Sequence, residues 1–266
     1  MELTLSPPLY LYKYRSLRDE WGREGARLAL QDHAIYFPIY TQFNDPFDCN
    51  LDVSPTSDRE TCATRLREIN PEMSEPELAK MSEREMSPGR VAAIDAAVRA
   101  ARVETLKNVG ILSLSAKPDD LLMWSYYADG HRGLCLQFRL NGDRLFGCEL
   151  TQVRYEPEPP RFTVYDRIDL DWTRRSLSTK ALAWQHEQEW RILWRVPGMN
   201  EFPAEDLTGV ILGAQISAQD RATVLDWSRA SRSAPVCYQA RRKVGSFAIE
   251  IVRADVETTG SRPTMR

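Results

Sequence analysis

The chain has 266 residues and a formal net charge of −3, with 42% hydrophobic and 27% charged residues. This is the composition of an ordinary globular protein, and it excludes both a disordered polymer and a strong overall field for nucleic acid or membranes. No run of about 18 apolar residues and no secretory leader pattern are present, so we expect a cytoplasmic protein outside the membrane.

Alternation of apolar and polar residues predicts the strands of a central mixed sheet. These strands are expected near 9–15, 34–40, 110–115, 133–138, 151–155, 189–195 and 207–214. Shorter strands near 235–239 and 246–252 finish the fold. Helical spacing predicts helices near 16–32, 119–129, 170–186 and 218–230. Strands that are partly adjacent and partly separated by single helices indicate an α+β fold.

One stretch differs in character from its surroundings. Residues 55–108 are rich in Ala, Met, Arg and Glu without β-branched runs, which predicts a helical insertion with helices near 58–69, 75–86 and 89–107. The expected organisation is an α+β domain interrupted by this insertion and followed by a flexible tail, with boundaries at 1–54, 55–108, 109–255 and 256–266.

Several kinds of site have no support in the sequence. The five cysteines form no C-x-x-C pair and only three histidines occur, so reduced thiols are expected and a metal site is not. No G-x-G-x-x-G follows a strand, and neither G-x-x-x-x-G-K-[ST] nor G-x-S-x-G is present.

Four stretches combine aromatic and polar residues, as the lining of a small-molecule pocket does. They are Lys13-Tyr14-Arg15, residues 43–47, residues 123–133 and residues 180–191. Structural alternatives stay open for each. Trp124 can belong to the core, and Asn44 and Asp45 can cap a turn. Arg191, in an apolar strand, can form a buried ion pair with Asp45 or Asp48.

Glu187 and Glu189 stand just before the apolar run 190–194. In an extended segment, residues two apart point to the same side, so the two carboxylates are expected close together. Such a pair suits a cation, a metal or an electron-poor sugar carbon, and Glu187 can also pair with Lys180. Two solvated acids at a strand entrance are the alternative.

The motifs K-Y-R, F-N-D-P-F-D, L-L-M-W-S-Y-Y-A-D-G-H-R-G-L-C-L-Q-F and K-A-L-A-W-Q-H-E-Q-E-W-R resemble the bacterial domain-of-unknown-function family 2971. The resemblance covers about residues 9–215, with 55–108 as the variable part. It implies no particular activity.

The layout of a polar-ended strand, a helix, an aromatic strand and a later Glu-x-Glu also resembles the split-sheet ADP-ribosyltransferases. The resemblance implies a split sheet of that type and an NAD site, with Glu189 as the catalytic acid and Glu187 as its upstream partner. Lys13 stands where the family has His or Arg, and the usual Ser-Thr-Ser triplet is absent. The residues expected to bind NAD are Lys13, Tyr14, Arg15, Tyr36, Tyr40, Asn44, Asp45 and Trp124.

The leading hypothesis is therefore an NAD-consuming ADP-ribosyltransferase or NAD glycohydrolase, in which a glutamate stabilises the ribosyl oxocarbenium. The partner is NAD as substrate, without a metal, and the acceptor is a protein or nucleic acid that the sequence does not identify. The looser resemblance implies a role in bacterial phage defence or conflict. Two alternatives remain: a magnesium-dependent nuclease or phosphohydrolase using Asp45, Asp48, Glu187 and Glu189 with Lys180 at the phosphate, and a nucleotide-binding module without catalysis.

Overall fold

The computed structural model describes residues 7–49, 52–54, 59–163 and 170–254. The whole predicted tail at 256–266 and the first residues of the predicted insertion lie outside the described residues. Among the described residues, no helix combines the length and the apolarity that crossing a bilayer requires. All five cysteines are free thiols, as expected.

The described strands are, in chain order, β1 (Tyr10–Arg15), β2 (Ala34–Phe37), β3 (Asp52–Ser54), β4 (Gly110–Ser115), β5 (Leu134–Arg139), β6 (Arg144–Leu145), β7 (Cys148–Glu149), β8 (Thr151–Gln152), β9 (Arg154–Glu156), β10 (Arg161–Thr163), β11 (Thr179–Ala181), β12 (Glu189–Trp194), β13 (Gly198–Glu201), β14 (Leu207–Leu212), β15 (Val236–Arg242) and β16 (Ile249–Arg253).

The described α-helices are α1 (Glu20–Arg27), α2 (Arg59–Ile69), α3 (Glu75–Glu85), α4 (Pro88–Leu106), α5 (Leu121–Tyr127), α6 (Leu170–Leu177) and α7 (Ala218–Ala230). Local chemistry explains their starts. The Asp120 carboxylate accepts the backbone N–H groups of Leu122 and Met123 at the start of α5. Ser74 and Glu77 form a capping box at the start of α3.

The chain forms two compact units, each assembled from separated segments. The first unit comprises 1–35, 114–148 and 201–266, and the second comprises 36–113 and 149–200. The three helices of the predicted insertion, α2, α3 and α4, all lie in the second unit. Their observed bounds agree with the predicted ones to within about two residues.

The first unit is built on a mixed sheet in which β16, β15, β14, β5 and β1 are neighbours in that order. β14 and β15 run parallel, and the other pairs in this series are antiparallel. One face of the sheet packs against α5 through Tyr14, Met123, Trp124 and Cys135. Parallel and antiparallel pairs in one sheet, combined with helices, confirm the α+β class.

The second unit has a smaller sheet region and its own core. The beginning of β4, β12 and β8 follow one another there, and β11 pairs in parallel with β9. Cys49, Leu106, Ile111 and Leu177 are buried together, so the end of α4 and α6 close over this region. A further cluster holds α2 against α3.

Several predicted elements differ from the observed ones. The strand expected at 151–155 is two short strands, β8 and β9, and β9 pairs with β11 outside the large sheet. β2 pairs with β13 in a separate two-stranded ribbon, so it is not part of the central sheet. The single helix expected at 170–186 is instead α6, strand β11 and a 3₁₀ helix over Leu182–Glu187. Finally, α1 begins at Glu20 after an Asp19 cap, four residues later than the predicted helix start at residue 16. Apolar spacing predicts which residues are buried, but it does not specify the partner strand or a local break.

Candidate functional site

Five charged side chains are buried together in the second unit. We call Asp48, Lys180, Glu187, Glu189 and Arg191 the charge cluster. Each is at most 6% exposed. They come from the loop after β2, from β11, from the 3₁₀ helix and from β12. Charged residues are seldom buried to this extent unless they are paired, so the contacts among them decide what the site can do.

All three nitrogens of the Arg191 guanidinium donate hydrogen bonds. Its Nη2 donates to both oxygens of Asp48 at 2.9 and 2.8 Å and to Oε2 of Glu189 at 3.0 Å. Its Nε donates to Oε1 of Glu189 at 2.7 Å. Nη1 donates to the Leu177 carbonyl at 2.7 Å and to Sγ of Cys49 at 3.1 Å. The guanidinium is therefore fixed in position, and the predicted ion pair of Arg191 is confirmed with Asp48.

Lys180 is the second cation of the charge cluster. Its Nζ donates to Glu187 at 2.6 Å and to Glu189 at 3.2 Å, and it lies 3.4 Å from Asp48. The ammonium is also 5.0 Å from the ring centre of Trp184, which adds a cation–π contact. The alternative of two solvated acids is therefore wrong, and the predicted pairing of Glu187 with Lys180 is confirmed.

The two glutamates converge for a different reason from the one expected. Glu187 ends the 3₁₀ helix, and Gln188 adopts a left-handed conformation with φ 44° before β12 begins at Glu189. The segment is thus not extended. The turn at Gln188 brings both carboxylates to Lys180, and the hydroxyl of Tyr155 accepts the backbone N–H of Glu189 at 2.8 Å.

Burial and the neighbouring charges together set the pKa values of Glu189, Lys180 and Cys49. Burial would raise the pKa of Glu189, but Arg191 and Lys180 outweigh it and lower that pKa to about 2. Burial would lower the pKa of Lys180, but the three carboxylates raise it above its ordinary value. Burial raises the pKa of the Cys49 thiol to about 12 despite the nearby Arg191. At neutral pH, Lys180 is thus a cation and Cys49 a neutral thiol, and neither is an activated nucleophile.

The charge cluster contains three carboxylates and two cations, so its acidic groups outnumber its basic groups by one. A cavity of about 500 Å³, within the usual range for small-molecule sites, reaches Asp48 of this cluster. It is lined by Tyr40, Thr41, Phe43, Asp45, Pro46, Asp48, Cys49, Arg99 and Val103. Arg99 and Val103 belong to α4, so the helical segment forms one wall of the cavity.

The predicted NAD-binding residues fall into both units. Tyr40 and Asp45 line the cavity of the second unit, and Asn44 lies exposed between them in sequence. Tyr36 contacts the Gln42 side chain through its hydroxyl at 3.3 Å. Asp45 accepts the backbone N–H of Phe47 at 2.9 Å, which confirms the turn-capping alternative for this residue.

The other predicted residues belong to the first unit. Tyr14 and Trp124 lie in its core with ring centres 5.1 Å apart, and the Tyr14 hydroxyl donates to the Lys117 carbonyl at 2.7 Å. The core alternative for Trp124 is therefore confirmed. Burial lowers the pKa of Arg15 to about 10, and its Nε has no hydrogen-bond partner among the described residues. The convergence of these residues with Asn44 and Glu189 on one cleft stays a prediction.

Sequence reasoning missed several participants. Cys49, Tyr155 and the Leu177 carbonyl complete the bonds of the charge cluster, and Arg99 reaches the cavity from α4. The patterns around Cys49, Tyr155 and Leu177 are ordinary ones for buried residues, so no signal pointed to them. Within the described part of the chain, no group of three or more His, Cys, Asp or Glu residues is arranged to hold a metal ion.

Comparison with known proteins gives one match. The family model described as "Protein of unknown function (DUF2971)" matches residues 123–192, which contain most of α5, all of β5 and the whole Lys180–Arg191 stretch. The predicted resemblance to this family is confirmed over that range. No curated protein and no solved structure matches the chain.

Proposed function

We propose that the cavity of the second unit binds NAD and that the protein consumes it as an ADP-ribosyltransferase or NAD glycohydrolase. The supporting observation is that two aromatic rings and two carboxylates, together with Arg99, line one cavity that reaches a cluster of three carboxylates and two cations. The nicotinamide ring of NAD is a flat aromatic cation, and such a ligand suits aromatic faces and negative charge together.

Phe43 and Tyr40 provide the rings. Phe43 is already 5.3 Å from the guanidinium carbon of Arg191, so one of its faces is held by the charge cluster. Asp45 provides a half-buried carboxylate whose Oδ1 is taken by the Phe47 N–H and whose Oδ2 has no hydrogen-bond partner among the described residues. Of the two acids at the cavity, Asp45 is therefore the one with an oxygen available to a ligand.

The proposed reaction breaks the bond between nicotinamide N1 and ribose C1′. Its electron pair passes to the nitrogen, which neutralises the ring, and positive charge develops on the ribose. A carboxylate at that carbon stabilises the oxocarbenium, as in glycoside hydrolysis. Water or an acceptor nucleophile then bonds to C1′ and releases its proton to Asp45 or solvent.

Within this proposal, the charge cluster positions the cavity wall. Asp48 lines the cavity while held by Arg191, and Glu189 and Glu187 hold Arg191 and Lys180 in turn. Glu189 as the essential acid stays a prediction. Both of its oxygens are bonded to Lys180 and Arg191, so the proposal assigns the carboxylate at the ribose to Asp45. A split sheet of the ADP-ribosyltransferase type, a cytoplasmic location and a role in phage defence or conflict are parts of the same proposal and rest on the sequence layout. We favour NAD over magnesium chemistry because Lys180 and Arg191 already bind oxygens of the three buried acids, where a metal would need them as ligands.

The test follows nicotinamide release from NAD by wild type and by Asp45→Asn. Removing one electrostatic stabiliser typically lowers the rate by about 10²–10³. We expect the rate of Asp45→Asn to fall by about this factor while its melting temperature stays close to that of the wild type. Asp226→Asn makes the same chemical change at an exposed residue of α7 and should keep the wild-type rate. Full activity in Asp45→Asn, or activity abolished by a chelator, would contradict the proposal and favour the metal-dependent alternative. A melting shift with NAD but no nicotinamide release would instead favour the binding module.

A further inference from the structure

The first unit has a groove of about 1220 Å³ at the β15–β16 hairpin. It exceeds the roughly 300–1,000 Å³ of typical small-molecule pockets, so an extended ligand suits it better than a compact one. Four of the residues lining it are Arg or Lys, namely Arg221, Arg241, Arg242 and Lys243, and none is acidic. This local basic surface contrasts with the net charge of −3 of the whole chain.

The cations of this groove are available to a ligand. Arg241, Arg242 and Lys243 are exposed and form no ion pair within the described residues. Arg221 is held in place because its Nη1 donates to Oε1 of Gln239 at 2.8 Å. The nearest offsetting acid in the sheet is Glu250, which stands opposite Arg241 on β16. An unpaired set of Arg and Lys side chains is the usual partner of phosphate groups.

The hairpin connection adds an aromatic group beside these charges. Phe247 is 100% exposed and Val244 is 97% exposed. The turn is defined, since the backbone N–H of Lys243 donates to the Ala248 carbonyl at 2.9 Å and Gly245 takes a left-handed conformation at φ 73°. The connection therefore places an uncovered aromatic ring in the lining of the same groove as Arg241, Arg242 and Lys243.

Unpaired cations along a groove with an exposed aromatic ring are the combination that binds single-stranded nucleic acid, because cations follow the backbone and bases stack on the ring. We infer that the β15–β16 groove of the first unit binds single-stranded nucleic acid, with Arg221, Arg241, Arg242 and Lys243 on phosphates and Phe247 stacked on a base. A duplex keeps its bases stacked inside and offers Phe247 no base face. An anionic bilayer offers charge and an apolar interior for Phe247 but no base for stacking, and it is therefore a competitor in the experiment. The inference does not depend on the proposed NAD chemistry.

The experiment measures fluorescence anisotropy of a labelled dT12 strand with the full chain at several salt concentrations. Each phosphate contact contributes a slope of about −0.7 to log K against log salt for single strands. Three or four cations, depending on how far Glu250 offsets Arg241, predict a slope of about −2 to −3. In the triple variant Arg241→Gln/Arg242→Gln/Lys243→Gln the salt slope should become shallower, with a magnitude of about 0.7 or smaller. Phe247→Ala should weaken binding by about tenfold, the lower part of the stacking range, without changing the slope.

The matched control is Arg18→Gln/Arg139→Gln/Arg144→Gln, which removes the same charge from first-unit residues that do not line the groove. It should leave the affinity near the wild-type value. Four results would each overturn the inference: equal weakening by the control triple, unchanged binding in Phe247→Ala, a 12-base-pair duplex that binds as tightly as dT12, or vesicles with anionic lipid that outcompete dT12. No measurable binding at low salt would overturn it as well.

Discussion

Replacing Lys180 by Met should show how much the charge cluster depends on its second cation. Methionine has a similar length but no charge, so the change removes the 2.6 Å bond to Glu187 and the 3.2 Å bond to Glu189. Three buried carboxylates then remain with Arg191 alone. Breaking a buried ion pair by removing one partner costs about 3–5 kcal/mol.

That loss is a large part of the roughly 5–15 kcal/mol that stabilises a typical domain. A change of 1 kcal/mol shifts the melting temperature of a chain of this size class by about 2–4 °C, so we expect a fall of about 6–20 °C. The deficit should be smaller at pH 5 than at pH 7, because carboxylates that have lost a cation are protonated more readily in the folded state.

Two assays, both followed by circular dichroism, check this: urea unfolding gives the loss in free energy, and thermal unfolding gives the fall in melting temperature. Lys107→Met is the matched control, since Lys107 forms a 2.6 Å pair with Glu104 at an exposed position, where such pairs contribute at most about 1 kcal/mol. The double variant Lys180→Met/Glu187→Gln should recover part of the loss, because it restores the original excess of one carboxylate. A Lys180→Met loss no larger than that of Lys107→Met would refute this reasoning, as would a double variant less stable than the single one.

Two further predictions concern the loss of stability in acid and the space around two glycines. Glu189 has a folded pKa of about 2 against an ordinary value of 4.5, so its stabilisation is present above about pH 4.5 and is lost as the pH falls towards 2. We expect an acid-linked loss of about 3 kcal/mol that is reduced in Glu189→Gln, and an unchanged pH profile would contradict it. Gly133→Ala would place its Cβ 2.0 Å from the Arg15 carbonyl oxygen, so it should cost about 1–3 kcal/mol in thermal unfolding. Gly25→Ala, in α1 with open space around it, should stabilise by about 0.5–1 kcal/mol, and the same sign for both variants would be inconsistent with this packing.

Local signals were enough to predict the helical segment. Ser74 with Glu77, and Pro88 after Ser87, mark helix starts by short-range chemistry, and α3 and α4 begin at the expected residues within one position. β2 shows the limit of such signals. Its apolar pattern predicted a strand. The four residues of β2 do not specify, however, whether that strand pairs with β13 or with a strand of the large sheet.

The charge cluster was predicted in part for a similar reason. An arginine in an apolar strand must find a carboxylate, and this restricted the partner of Arg191 to nearby candidates, of which Asp48 is the one observed. The contact joins residues 143 apart in sequence. The left-handed turn at Gln188 had no signal, because the residue types that favour this conformation are Gly, Asn and Asp. The position of Glu187 could not be derived without it.

The interleaving of the two units has a consequence for biosynthesis. The second unit needs residues 149–200 to join 36–113, and the first needs 201–254 to join its two earlier segments. While a ribosome is still translating the middle of the chain, β5 has β1 beside it but β14 has not yet been made. An emerging chain thus carries an unsatisfied sheet edge through much of its synthesis, and such edges associate with other chains. We therefore expect holding chaperones to bind the nascent chain. Slowing translation near residue 200 should increase its aggregation.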